Sequence, residues 1–270
     1  MGVTVYGNNF TGNVLINNHI VEENLVLFFD PNNDKSYPGS GNTVFNIAPE
    51  QTNNGISGSL DDEDMYVEGV NNRNSYFRVR SDSVVERLDF SDTIIRPSTG
   101  SSTVMFYFWS DYDPEGQYAK SQAFFGGKYT NYMALRYTSS DIGFYQPEAE
   151  TNGQGANPPD NNHDYFARAS EGNVFTTGSW SSWTSVIHNE TGSNWFNGNP
   201  GVGEEEANEY HLDSNTSTHS FNRLGSTSTG THGEARGGDI RMGALLIYDR
   251  ALTQAEIRQN LDVLDRRFRD

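Results

Sequence analysis

The chain contains no cysteine, which removes disulfide frameworks, thiolate metal centres and cysteine nucleophiles. Lysine is scarce, with three residues among 18 cations, and these face 36 Asp and Glu for a formal net charge of −18. That sign disfavours nucleic acid, because phosphate binding needs a cationic face, and it disfavours polybasic membrane adhesion for the same reason. No apolar run approaches the ~18 residues of a bilayer-spanning helix. The opening Met1-Gly-Val-Thr lacks the basic-then-apolar order of a Sec-type signal, so export by that route is not expected. Catalytic patterns are also missing. There is no Gly-x-Ser-x-Gly elbow, His-Glu-x-x-His pair or phosphate-cradling Gly-x-x-x-x-Gly-Lys loop. No Glu-x-Asp-x-x-Glu pattern sets two carboxylates on one strand face for glycan hydrolysis. His19, His163, His188, His211, His219 and His232 show no metal-ligand spacing. The chain is expected not to be an enzyme.

What is present is polar and ring-rich: 13% aromatic residues, 27 glycines and 29 asparagines, a composition of strands joined by turns. Leu25-Val-Leu-Phe-Phe29 reads as a buried strand, stopped by Asp30-Pro-Asn-Asn33. Tyr76-Phe-Arg-Val-Arg80 alternates as a half-exposed strand does, and Val104-Met-Phe-Tyr-Phe-Trp109 reads as a central one. Trp183–Ile187 and Asn194–Gly198 predict a hairpin, and Met242–Tyr248 a closing strand. A helix is predicted over 253–269: Thr253 and Glu256 form a capping box, and Ile257, Leu261, Leu264 and Phe268 recur on one face. Many short strands with polar turns predict an all-β antiparallel sandwich. Residues 1–24 precede the first strong strand and are expected to form a separate segment, an attachment arm, before a domain over 25–270.

Charge is uneven. Residues 236–270 hold seven Arg against five Asp and one Glu, a net of +1, so the remainder carries −19. Asp111, Asp113 and Glu115 followed by Gly116 suit either the start of an oxygen-ligand calcium loop or an ordinary turn, and the twelfth position is Gln122 rather than Glu. Asp30, Asn32 and Asp34 alternate similarly, with Lys35 where a loop needs glycine. The long stretch from Tyr145 to Phe166 combines rings with planar polar groups, the pairing a sugar needs. Its candidates for glycan contact are Tyr145, Asn161, His163 and Tyr165, with Trp180 as a further ring. The same ring types also fill the core of any sandwich.

Several of these segments resemble a known family. Leu25-Val-Leu-Phe-Phe-Asp-Pro-Asn-Asn-Asp-Lys-Ser-Tyr-Pro-Gly39 is similar to the opening strand of concanavalin A-like, laminin-G-like jelly rolls. Val67-Glu-Gly-Val-Asn-Asn72 resembles the family's F-D-G-V-N-D segment, with Glu68 in place of Asp. Trp183-Thr-Ser-Val-Ile187 and Trp195-Phe-Asn-Gly198 resemble its W-T-H-V-A and L-Y-I-N-G strands. Gly243-Ala-Leu-Leu-Ile-Tyr-Asp-Arg-Ala-Leu-Thr-Gln-Ala-Glu-Ile257 resembles the closing I-Y-N-R-A-L-T-x-x-E-I strand and helix. The resemblance covers about residues 25–270. The Asp-Pro-Asn…Ser-Tyr-Pro-Gly form is similar to versions in structural proteins of tailed phages, marine ones especially. It implies a bacteriophage virion protein, a capsid decoration, head fibre or tail-associated adhesin, made in the host cytoplasm and released by lysis. Its implied partners are other virion proteins, further copies of itself and a host surface glycan. A carbohydrate-binding lectin-like module is the alternative, and a glycoside hydrolase of the same fold a third reading. The family often holds calcium at the sheet rim, which the resemblance would place near Glu68, Asn71 and Asp239.

Overall fold

The computed structural model describes residues 4–5, 14–15, 19–49, 56–70, 74–79, 86–97, 100–110, 121–126, 133–137, 142–145, 167–168, 178–189, 191–200, 209–211, 218–224 and 240–269. In chain order the strands are β1 (Thr4–Val5), β2 (Val14–Leu15), β3 (Leu25–Phe29), β4 (Thr43–Val44), β5 (Gly58–Leu60), β6 (Tyr66–Val67), β7 (Tyr76–Val79), β8 (Leu88–Pro97), β9 (Ser101–Ser110) and β10 (Ser121–Gly126). They continue as β11 (Met133–Tyr137), β12 (Ile142–Tyr145), β13 (Ala167–Arg168), β14 (Trp180–His188), β15 (Thr191–Phe196), β16 (Asn199–Pro200), β17 (Glu209–His211), β18 (Thr218–Leu224) and β19 (Ile240–Tyr248), and helix α1 (Gln254–Phe268) follows.

Two antiparallel sheets face each other in a β-sandwich of jelly-roll type. One runs β16-β15-β14-β9-β19-β7-β6, with β17 beside β15 and β3 beside β19. The other runs β13-β12-β11-β10-β18-β8-β5-β4. The expected hairpin is present, with Trp183 opposite Phe196 and Ile187 opposite Gly192. β9 lies between β14 and β19, as its density of β-forming residues predicts.

The packing follows from strand alternation, which sends successive side chains to opposite faces. Val104, Phe106 and Phe108 of β9 enter the core between the sheets with Phe29, Phe77, Trp183, Leu245, Leu88 and Leu224. Met105 and Tyr107 enter a second apolar layer on the other side, with Leu246 and Tyr248 of β19 and with Ile257, Leu261, Leu264 and Phe268 of α1. β9 therefore has apolar surface on both faces, and the helix covers the face that the second sheet does not. This explains why β9 and β19 read as nearly continuous apolar runs instead of alternating ones. Truncating a ring such as Phe268, 2% exposed, would cost about 3–5 kcal/mol.

Polar groups fix the helix onto this layer. Asn260 is fully buried; its Oδ1 accepts from Val21 N (2.8 Å) and its Nδ2 donates to the Tyr248 hydroxyl (2.9 Å). That hydroxyl donates in turn to Val21 O (2.9 Å). Residues 19–24, which precede the first strong strand, are thereby bound to the last element, and Ile20 is buried beside them. At the other end of the helix, Arg267 pairs with the buried Asp30 carboxylate. Burial pushes the Asp30 pKa up, against the opposing pull of Arg267. The helix also crosses β19 closely at Gly243, where the register shifts between Met242 and Ala244. A Cβ at that position would lie 2.8 Å from the Trp180 ring and 3.1 Å from that of Phe268.

The expected capping box forms at the helix start. Glu256 N donates to Thr253 Oγ1, and Glu256 Oε2 accepts from Thr253 N at 2.8 Å. Arg250 adds two bonds to the same carboxylate, at 2.6 and 3.1 Å. The bonds from Arg250, then those from Thr253, hold the Glu256 pKa down at about 2, well below the ordinary glutamate range. A carboxylate depressed in the fold stabilises fully above its unfolded pKa and loses that contribution as pH falls through its folded one. The pair is partly exposed, so its worth is about 1 kcal/mol at most. Glu256→Gln is expected to lower the melting midpoint at neutral pH, and the gap to the unsubstituted chain should close between pH 4.5 and about 2. Thermal melts of both chains across that window check this; a gap unchanged down to the lower pH contradicts it.

Candidate binding site

Helix α1 does not extend over the whole outer face of the nine-stranded sheet. Its C-terminal turn ends at β14 and the start of β7, where Arg269 donates to Trp180 O at 2.7 Å and Asn74 N donates to Arg267 O. Beyond that point the strand register aligns four outward side chains in one row across four strands. Arg78 of β7 is opposite Arg241 of β19, Arg241 is opposite Trp109 of β9, and Trp109 is opposite Trp180 of β14. Arg78, Arg241 and Trp109 are half-buried, while Trp180 lies under the helix end.

The rings in this row serve two purposes. Trp180 stacks on Tyr107 with centroids 5.5 Å apart and packs on Phe268 at 4.6 Å, so its faces belong to the core. Trp109 meets Trp180 edge-on at 5.8 Å. The Arg241 guanidinium carbon lies 4.9 Å from the centre of the Trp109 ring and 5.2 Å from that of Tyr76. Cation–π contact on two rings fixes the position of that charge. Arg78 Nε is buried and has no hydrogen-bond partner among the described residues. The flanking polar network is closed: Tyr107 donates to Asp265 Oδ1 at 2.6 Å, and Arg269 bonds both the Tyr107 oxygen (3.2 Å) and Asp265 (2.9 Å). Burial, then Asp265, pushes the Tyr107 pKa far up, so this hydroxyl stays a donor.

Of the candidates read from sequence, Trp180 belongs to this row. Trp180 is corrected: at 7% exposure, between Tyr107 and Phe268, it offers no ring face to a sugar. Tyr145 ends β12, opposite Ala134 of β11. Asn161, His163 and Tyr165 lie outside the described residues, as do Asp111, Asp113, Glu115, Asn71 and Asp239. Glu68 is exposed. Among the described residues no group of three or more His, Asp or Glu converges on a common point. The Asp30 turn uses its carboxylate internally, accepting from Asn32 N at 3.0 Å and pairing with Arg267, while Asn32 Oδ1 accepts from Ser75 N.

Sequence reading missed the arginine–aromatic row. Its local signals are the basic positions alternating in Tyr76–Arg80 and the single cation in the apolar run of β19. Neither shows that Arg78 and Arg241, 163 positions apart in the sequence, are neighbours.

No family model and no curated protein matches the chain. Solved structures match in fold. The binding domain of botulinum neurotoxin serotype D aligns with a TM-score of 0.59 and 8% identity over 90% of this chain and 52% of that one. The binding domain of Paraclostridial mosquitocidal protein 1 aligns at 0.55 and 12% over 88% and 52%. A Trypanosoma rangeli sialidase, solved in complex with 2,3-difluoro-KDN, aligns at 0.57 and 12% over 100% of this chain and 37% of that one. This chain thus spans about half the length of the toxin chains and just over a third of the sialidase. At these identities the likeness shows the fold alone: an antiparallel β-sandwich that occurs within larger proteins.

Proposed function

We propose that the chain is a non-enzymatic, lectin-like binding module, carried on the outside of a bacteriophage particle as a capsid decoration, head fibre or tail-associated adhesin. There it contacts a host surface glycan, and other virion proteins and further copies of the chain hold it in place. The observation that carries the binding role is the row Arg78-Arg241-Trp109. It sets guanidinium donors and a half-buried ring side by side on the sheet face past the helix end. Sugar recognition uses that combination of planar polar groups and ring surface. The absence from the sequence of a Glu-x-Asp-x-x-Glu pattern favours binding without hydrolysis. The likeness to toxin binding domains supports a binding use of the fold by analogy. The virion placement rests on the motif form of the 25–39 segment.

The test is a saccharide panel presented to the full chain. Saturable binding of at least one saccharide, recovered intact after prolonged incubation, is expected. Silence across the panel overturns the lectin reading, and release of shortened products overturns the non-enzymatic one. Calcium held by the oxygens of Asp111, Asp113 and Glu115 belongs to the same proposal, because carboxylates at alternate positions are the donor type the ion takes. Millimolar calcium is expected to raise the melting midpoint through preferential binding to the folded chain, and an unchanged midpoint removes it.

A further inference from the structure

We infer that residues 1–18 are a self-association arm, through which this chain binds further copies of itself. This rests on the reading in which further copies hold the chain in place, and it assigns that contact to one segment. Charge singles the segment out. Charged residues make up 20% of the chain, yet Met1 to Asn18 contains no Asp, Glu, Lys, Arg or His. It holds instead five Val, Leu or Ile residues, the rings of Tyr6 and Phe10, and five asparagines. Two chains that each carry −18 repel on approach, and a net charge of that kind keeps proteins apart. An uncharged segment meets its own copy without that penalty, and its apolar residues supply the attraction.

Strand pairing points the same way. β1 and β2 pair antiparallel, with Thr4 opposite Leu15 and Val5 opposite Val14. Among the described strands they form a two-stranded sheet of their own, which joins neither layer of the sandwich. An isolated two-stranded sheet is marginal in water and needs further strands to persist. Its outer edges carry backbone N–H and C=O groups that template another strand, and the same pair from a second copy offers one by strand addition. The arm also starts from a point fixed on the sandwich, because residues 19–24 are strapped along α1 and the end of β19. His19 O accepts from Gln259 Nε2 (2.9 Å) and Val21 N donates to Asn260 Oδ1 (2.8 Å). Glu23 O accepts from Arg250 Nε (3.1 Å), and Asn24 O accepts from Asp249 N (2.9 Å).

The experiment is sedimentation velocity on the full chain across a range of protein and salt concentrations. Reversible association to a whole multiple of the chain's mass is expected. It should strengthen as salt rises, because salt screens the repulsion between the anionic chains. Val5→Glu and, separately, Val14→Glu put a charge into the arm and should each weaken association about tenfold or more, with an unchanged circular dichroism spectrum. A chain that stays monomeric at every concentration and salt overturns self-association and leaves the arm to a different protein. Association that weakens as salt rises overturns the arm in favour of oppositely charged surfaces on two copies. Association retained in full by both variants overturns the arm as the contact, while the reading that copies hold one another stands. The lectin reading is decided separately by the saccharide panel, so its failure and the failure of the arm are distinguishable.

Discussion

Burial of β9 on both faces is the constraint from which the rest of the architecture follows. A strand whose even and odd positions are both apolar cannot lie in a sheet with one face in water. Val104, Phe106 and Phe108 meet the second sheet; Met105 and Tyr107 need another cover, and α1 supplies it. The helix must then be fixed at a set height over the sheet. Gly243 allows the close crossing, Asn260 ties it to Val21 and Tyr248, and Asp30 receives Arg267. The contacts to Val21 and Asp30 join residues 239 and 237 positions apart in sequence, so the final helix is an integral layer of the core.

The helix also determines where a site can exist. It is 15 residues long, about 22 Å at 1.5 Å per residue, and it ends before the far rows of the sheet. Past that end, Arg78, Arg241 and Trp109 are held by strand register instead of by loop conformation. A site on rigid strands loses little order on binding, which favours recognition of a weakly binding ligand such as a saccharide.

Much of this was legible in sequence because it is local. Thr253 with Glu256, followed by apolar residues at helical spacing, announced the helix and its cap. The β-forming density of 104–109 announced the central strand, and Trp183 with Trp195 announced the hairpin. What escaped depends on facing. In Trp180-Ser-Ser-Trp183 the two tryptophans are three positions apart and therefore point to opposite faces, one under the helix and one between the sheets. Among serines, Trp180 looks like a surface ring until the helix is placed over it. Asp30 likewise looks like a turn residue or a metal ligand until its partner, 237 positions away, is known. The arginine row is the extreme case, since it exists only in the pairing of β7, β19 and β9.

Hydrogen exchange measured amide by amide under native conditions tests the two-faced core most directly. If α1 is a layer of that core, the amides of its central turns around Leu261 and Leu264 will exchange as slowly as those of β9, through one shared global opening. Helix amides that exchange orders of magnitude faster, while β9 stays protected, would show that the helix is an accessory. That result would contradict both the fold account and the placement of the site at the helix end.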